Sequence, residues 1–131
     1  MPIVVDTTVV IACVLNEPHR DALLQVTANQ DLVAPESLPC EVGNALSAMF
    51  KRHRITLDEA LQAIKLYRSI QLELKDIDLE SAVKLSHQLG IYAYDAYMIQ
   101  CAVECKSPIL TLDNGLIVAA QMAQVAICKV P

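Results

Sequence analysis

The chain has 131 residues, enough for one domain with a core that needs no disulfide staples. Hydrophobic residues make up 54% and charged residues 19%, with a mean hydropathy of +0.39, a balance that argues against disorder and leaves apolar surface for a partner. A formal net charge of −5 repels nucleic acid on average, so affinity for RNA or DNA must come from a local patch or a bound cation.

The first predicted element is the apolar run Ile3-Val4-Val5, typical of a strand buried on both faces, and Asp6 is set where that run leaves the sheet. An isolated buried charge is costly unless paired or metal-bound, so Asp6 is expected at the carboxyl end of the strand, where open α/β sheets place their ligand crevices. Thr7 or Thr8 can cap a helix through Leu15, ended by Asn16-Glu17-Pro18. A helix from His19 to Asn29 follows, with Ala22, Leu23 and Val26 on one face, and Leu32-Val33-Ala34 then reads as a short parallel strand closed by Pro35.

Ser37 opens a longer helix, with Pro39 tolerated in its first turn. Leu38, Val42, Ala45, Leu46, Met49 and Phe50 form its apolar stripe, Glu41 stands one turn inside, and Lys51-Arg52-His53-Arg54 closes the end. Thr56 to Glu59 matches a capping box, launching a helix with Ala60, Leu61, Ile64 and Tyr67 inward. Ile70 to Leu74 is the third strand candidate. Asp78 caps a helix with Ala82, Val83 and Leu85 buried, and Gly90 ends it as a left-handed cap. Asp95 begins a helix through Val103, Ile109 to Leu112 is a late strand ending at Asp113-Asn114-Gly115, and a last helix from Leu116 to Ala123 precedes a last strand from Val125 to Val130. Strands and helices alternate with crossovers long enough for parallel pairing, which predicts one three-layer α/β/α domain over residues 1–131.

The longest uncharged stretch, Asn114 to Cys128, is too short and too polar to span a bilayer. The start carries no basic residue and has Asp6 inside its apolar run, unlike a secretory signal, so the expected location is cytoplasmic. Cys13, Cys40, Cys101, Cys105 and Cys128 show no CxxC spacing and are expected as small buried apolar residues. His19, His53 and His87 show no ligand spacing and are expected to be exposed.

Asp6 and Asp113 each directly follow an apolar strand, Glu41 interrupts an otherwise apolar first turn, and Asp95 begins a helix rich in small residues. If the first and fourth strands are neighbours, Asp6 and Asp113 lie at one edge, with Asp95 near them and Glu41 leaning in from the side. Like carboxylates stay ionised together only when a cation intervenes, and hard oxygen ligands without His or Cys select Mg²⁺ or Mn²⁺. Such a site activates water for attack on phosphorus, which is the chemistry of phosphodiester hydrolysis. Each acid also has a plainer reading: Asp95 and Asp6 as helix caps, Asp113 as a turn former, Glu41 as a partner of the helix dipole.

Val5-Asp6-Thr7-Thr8-Val9-Val10, Glu41-Val42-Gly43-Asn44-Ala45-Leu46, Tyr94-Asp95-Ala96-Tyr97 and Leu110-Thr111-Leu112-Asp113 together resemble the PIN-domain ribonucleases, and most closely the VapC-like toxins of prokaryotic type II toxin–antitoxin pairs. The resemblance spans essentially the whole chain. It implies a five-stranded, mainly parallel sheet between helices, a Mg²⁺ or Mn²⁺ site, single-stranded or tRNA-like RNA as substrate, and a cognate antitoxin as partner. Its acidic cluster falls on Asp6, Glu41, Asp95 and Asp113. Thr8 replaces the Ser or Asn usual two positions after the first Asp and keeps a hydroxyl there, and Thr111 also fits the pattern. Many relatives carry a further acid shortly after the position of Asp113, whereas Asn114, Leu116 and Ile117 are uncharged, which leaves a second metal without that ligand.

Other readings stay open. An aspartate-nucleophile phosphatase needs an acid where Thr8 stands, and a receiver-type phosphoacceptor needs adjacent acids after the first strand and a Lys after a late one. A PIN-like module kept for protein binding would suit the apolar surplus, as would a homodimer. Lys51 to Arg54 is the best positive patch, but it also reads as a solvated helix end, and Arg20 and Arg68 are weaker candidates for an RNA contact. Tyr92, Tyr94 and Tyr97 could stack on a base, or pack the start of the Asp95 helix with their hydroxyls in water.

Overall fold

Short apolar runs alternate with helices along residues 2–131, which the computed structural model describes. The elements are β1 (Ile3–Val5), α1 (Thr7–Val14), α2 (Arg20–Thr27), β2 (Leu32–Pro35), α3 (Leu38–Lys51), α4 (Leu57–Ser69), β3 (Leu72–Lys75), α5 (Leu79–Leu89), α6 (Ala93–Cys105), β4 (Ile109–Leu110) and α7 (Asn114–Met122). All strands run parallel, in the order β3-β2-β1-β4. β1 is central, as its unbroken apolar sequence requires.

Successive side chains of β1 point to opposite faces. Val4 packs into a cluster with Val42 and Leu46 of α3, Ile99 of α6 and Leu116 of α7. Ile3 and Val5 pack into a second one, with Val9 and Ala12 of α1 and Leu23 of α2. Helices therefore cover both faces of the sheet, and each aliphatic side chain so buried contributes about 1.5–3 kcal/mol.

The sheet has four strands, not the expected five. The segment Val125 to Val130 forms no strand and is reduced to one parallel bridge, Ile109 with Ile127, through Ile109 N–H to Ala126 O (3.0 Å) and Cys128 N–H to Ile109 O (2.9 Å). Its partner β4 is only two residues long, so no ladder can propagate. Several boundaries also move. Asp6, not Thr7 or Thr8, caps α1, its side chain accepting from Val9 N–H. α2 starts at Arg20, and β3 is shifted to Leu72–Lys75. Ala63 takes the inward place expected of Leu61, and Val83 is 52% exposed, where burial was expected.

The capping box of Thr56 with Glu59 is present, Asp78 caps α5, and Gly90 closes α5 in the left-handed conformation (φ 65°) that costs a Cβ-free residue nothing. Of the cysteines only Cys101 is fully buried; Cys40 is exposed and Cys13, Cys105 and Cys128 are half-buried. Among the described residues no helix is long and apolar enough to cross a membrane.

Candidate functional site

In a parallel sheet all carboxyl ends share one edge. β1 and β4 are neighbours with Val5 opposite Leu110, so the residues that follow, Asp6 and Thr111, leave the sheet side by side. Asp6 is 5% exposed and Thr111 3%. A carboxylate so far out of water needs hydrogen-bond donors. Thr8 donates its hydroxyl to Asp6 Oδ1 (2.6 Å), Val9 N–H donates to the same oxygen (3.2 Å), and the Thr111 hydroxyl donates to Asp6 Oδ2.

Both threonines are themselves fixed from the chain after β4. Leu112 N–H donates to Thr8 Oγ1 and Asp113 N–H to Thr111 Oγ1, each at 3.0 Å. Asp113 then caps α7 by accepting from Gly115 N–H at 2.9 Å. A Cβ at position 115 would stand 3.3 Å from that Asp113 oxygen, a tight contact to which the Asp113 side chain would have to yield by a few tenths of an ångström.

Glu41 lies in the first turn of α3 and accepts from the Ser37 hydroxyl at 3.1 Å. It borders a cavity of about 240 Å³ lined also by Thr7, Cys40, Asn44, Ala45 and Tyr94. The buried Thr7 hydroxyl has no hydrogen-bond partner among the described residues. Asp95 stands in the first turn of α6 but does not cap it; Tyr92 holds that position without a side-chain bond. Tyr92 is 88% exposed, so it packs nothing, while Tyr94 and Tyr97 meet edge to face at 5.7 Å.

The electrostatics tie these acids together. Burial pushes the Asp6 carboxyl up; the hydroxyls of Thr111 and Thr8 and the Val9 N–H oppose this, and the charge of Asp113 adds to it. Burial pushes Glu41 up to about 7, against the Ser37 hydrogen bond and with help from the charges of Asp6 and Asp95. Asp95 is raised by burial and then by Asp113. Charge thus links Asp6 with Asp113, Glu41 with Asp6 and Asp95, and Asp95 with Asp113.

Among the described residues no three acidic, histidine or cysteine side chains close tightly enough to enclose a metal on their own. The donor set nonetheless fits a hard divalent cation. It is all oxygen, its mutual repulsion is the kind a cation relieves, and Mg²⁺ keeps several waters while binding through one or two carboxylates rather than in a full protein cage. Two acids also do the plainer work of capping, Asp6 on α1 and Asp113 on α7. The sequence did not disclose the Thr111 bond to Asp6 or the Ser37 bond to Glu41; the Ser four residues before Glu41 on one helix face was the available signal for the second.

His19, His53 and His87 are all exposed, and so are Lys51, Arg52 and Arg54. A family model described as PIN domain matches residues 3–121. No curated protein matches the sequence significantly. Among solved structures the chain is similar to PAE2754 from Pyrobaculum aerophilum, at 20% identity and TM-score 0.76 over 97% of this chain and 83% of that one. It is also similar to VapBC2 from Rickettsia felis bound to a DNA fragment from their promoter, at 15% identity and TM-score 0.71 over 98% of each chain. A third is VapC20 of Mycobacterium tuberculosis, a Sarcin-Ricin loop cleaving toxin, at 12% identity and TM-score 0.65 over 89% of this chain and 94% of that one. At such identities the likeness is one of fold.

Proposed function

We propose, from the premise that the chain belongs to the PIN domain family, that it is a metal-dependent ribonuclease acting at Asp6, Glu41, Asp95 and Asp113, and the toxin of a toxin–antitoxin pair. The observation that carries this reading is the double hydroxyl clamp on buried Asp6, facing three further acids whose charges reach it or one another. Helix capping alone would not call for a second hydroxyl, brought from 105 residues away, on the far oxygen of Asp6.

Asp6, Asp95 and Asp113, with Glu41 beside them, would hold Mg²⁺ or Mn²⁺, which when bound supplies Lewis acidity at the phosphate and eases deprotonation of water. Thr111 and Thr8 fix the orientation of both Asp6 oxygens, so that little reorganisation accompanies reaction. Glu41, beside the proposed cation and held by the Ser37 hydroxyl, is placed to orient the attacking water.

The antitoxin would use apolar surface. A groove of about 240 Å³ between α1, α2 and α4, with Val10, Leu24, Leu66 and Ile70 in its walls, suits an apolar segment of such a partner. Exposed Leu79 and Val83 of α5 and Val103 of α6 suit a homodimer, and the setting proposed is the cytoplasm.

The test is cleavage of single-stranded and tRNA-like RNA with added Mg²⁺ or Mn²⁺. Asp6→Asn and Asp95→Asn are each expected to abolish it with the circular dichroism spectrum unchanged. Undiminished cleavage by both variants would refute the site. Turnover of a small phosphomonoester instead of RNA would favour the phosphatase reading, and no turnover of any phosphate substrate the binding module.

A further inference from the structure

α3 is the one element that joins the acidic site to a concentration of positive charge. Glu41 sits in its first turn and Lys51 in its last, so the two are about 15 Å apart along the axis at 1.5 Å per residue. Resting on the nuclease reading, we propose that the solvent face of α3 is the track for the RNA strand. Lys51, Arg52 and Arg54 hold its phosphates, and the cavity between Asn44 and Tyr94 seats a base beside Glu41.

The charges favour this path. The chain carries fifteen acids against ten Lys and Arg, yet Glu41 is the sole acid in α3. Ion pairs among the described residues are limited to Arg20 with Asp21 and Lys75 with Glu73, so the three cations at the end of α3 are uncommitted. Their turn is firmly built: His53 adopts a left-handed conformation (φ 58°), His53 N–H donates to Phe50 O at 3.1 Å and Arg54 N–H to Met49 O at 3.0 Å. Such a turn is normally closed by glycine, and one cation in the last turn suffices to complement the helix dipole. Two further arginines flanking the turn exceed that need.

The face between the two ends is open. Gly43 and Asn44 are exposed, and a Cβ built on Gly43 meets nothing within 4 Å. At the upper end the exposed Asn44 amide offers a donor and an acceptor to a base edge, and exposed Tyr94, braced against Tyr97, offers a ring. Splayed bases of single-stranded RNA are recognised by stacking and edge hydrogen bonds of this kind.

The test is fluorescence anisotropy of a labelled single-stranded oligoribonucleotide in EDTA, where binding is read without cleavage. For the triple variant Lys51→Gln/Arg52→Gln/Arg54→Gln, the slope of log affinity against log salt should fall by about 2, since each phosphate contact adds about 0.7. Tyr94→Ala should weaken binding about tenfold with the slope unchanged. An unaltered slope in the triple variant overturns the track, and is the result expected if those cations serve an acidic protein instead. Wild-type affinity in Tyr94→Ala overturns the base seat. A failure of the nuclease reading looks different: the slopes behave as described, but the bound RNA stays intact once Mg²⁺ or Mn²⁺ is restored.

Discussion

The larger hollow of this molecule, about 780 Å³, lies where the chain enters the strands at Gln30, Asp31 and Gln71 and is bordered by Glu73, Asp76 and Glu104; the smaller, about 240 Å³, lies at the opposite, carboxyl edge beside Glu41. The larger is lined by four acids and the smaller by Glu41 alone, and the acids at the two edges live differently. Asp31, Glu73, Asp76 and Glu104 are all exposed, and Glu104 is occupied as an acceptor for Asp78 N–H (2.9 Å) and the Gln100 amide (2.7 Å). At the carboxyl edge Asp6 is withdrawn from water and gripped on both oxygens. A carboxylate left in water costs nothing and implies nothing; one held out of it by dedicated donors is a constraint the fold maintains. Volume is therefore the poorer guide to function here.

That contrast can be broken most sharply by activity. Asp6→Asn should lower RNA cleavage at least ~100-fold, whereas Glu104→Gln in the larger hollow should leave it unchanged; equal loss in both would erase the distinction between the edges. Next comes stability. Thr111→Val leaves Asp6 Oδ2 and Asp113 N–H without their partner in a buried place and should cost about 1–3 kcal/mol in denaturant unfolding, against about 1 kcal/mol for Thr56→Ala at an exposed cap. Smaller again is the gain from metal: Mn²⁺ at tenfold its dissociation constant should add about 1.4 kcal/mol to wild-type stability at neutral pH and much less to Asp6→Asn.

The last effect is on pH dependence. Glu41 is raised from 4.5 to about 7, so between those values the folded chain keeps a proton that the unfolded chain has lost. Stability accordingly falls as pH rises from about 4.5 to about 7 and levels off above, and the upward shifts of Asp6 and Asp95 act in the same direction. Glu41→Gln should flatten the upper part of that fall in thermal melts, while Glu104→Gln should not; a curve unmoved by Glu41→Gln would place the strain elsewhere.

Much of this was legible in the residues because the signals were local. The Thr56 and Glu59 capping box, the Gly90 stop and the apolar run ahead of Asp6 each specify their surroundings within a few positions. What stayed hidden depends on tertiary partners. The tail from Val125 to Val130 is an apolar run that reads as a strand, but its neighbour β4 is only two residues long, and after Leu110 the chain turns away to deliver Thr111 to Asp6. Val83 and Leu61 fit a buried stripe by spacing, yet Ala82 and Ala63 face the core, since helical periodicity leaves the rotation of a wide apolar stripe undetermined. The four acids could be enumerated from sequence, but bringing the end of β1 with Asp6 beside the segment that carries Thr111 and Asp113 depends on β1 pairing with β4.

The grip on Asp6 joins distant parts of the polypeptide, since the second hydroxyl lies 105 residues further on. A ribosome making this protein therefore displays the sixth residue long before the one that steadies it exists. A chain synthesised only as far as α5 therefore holds Asp6 and Glu41 without Asp95, Asp113 or the Thr111 hydroxyl, so the arrangement at the carboxyl edge of the sheet forms late in synthesis.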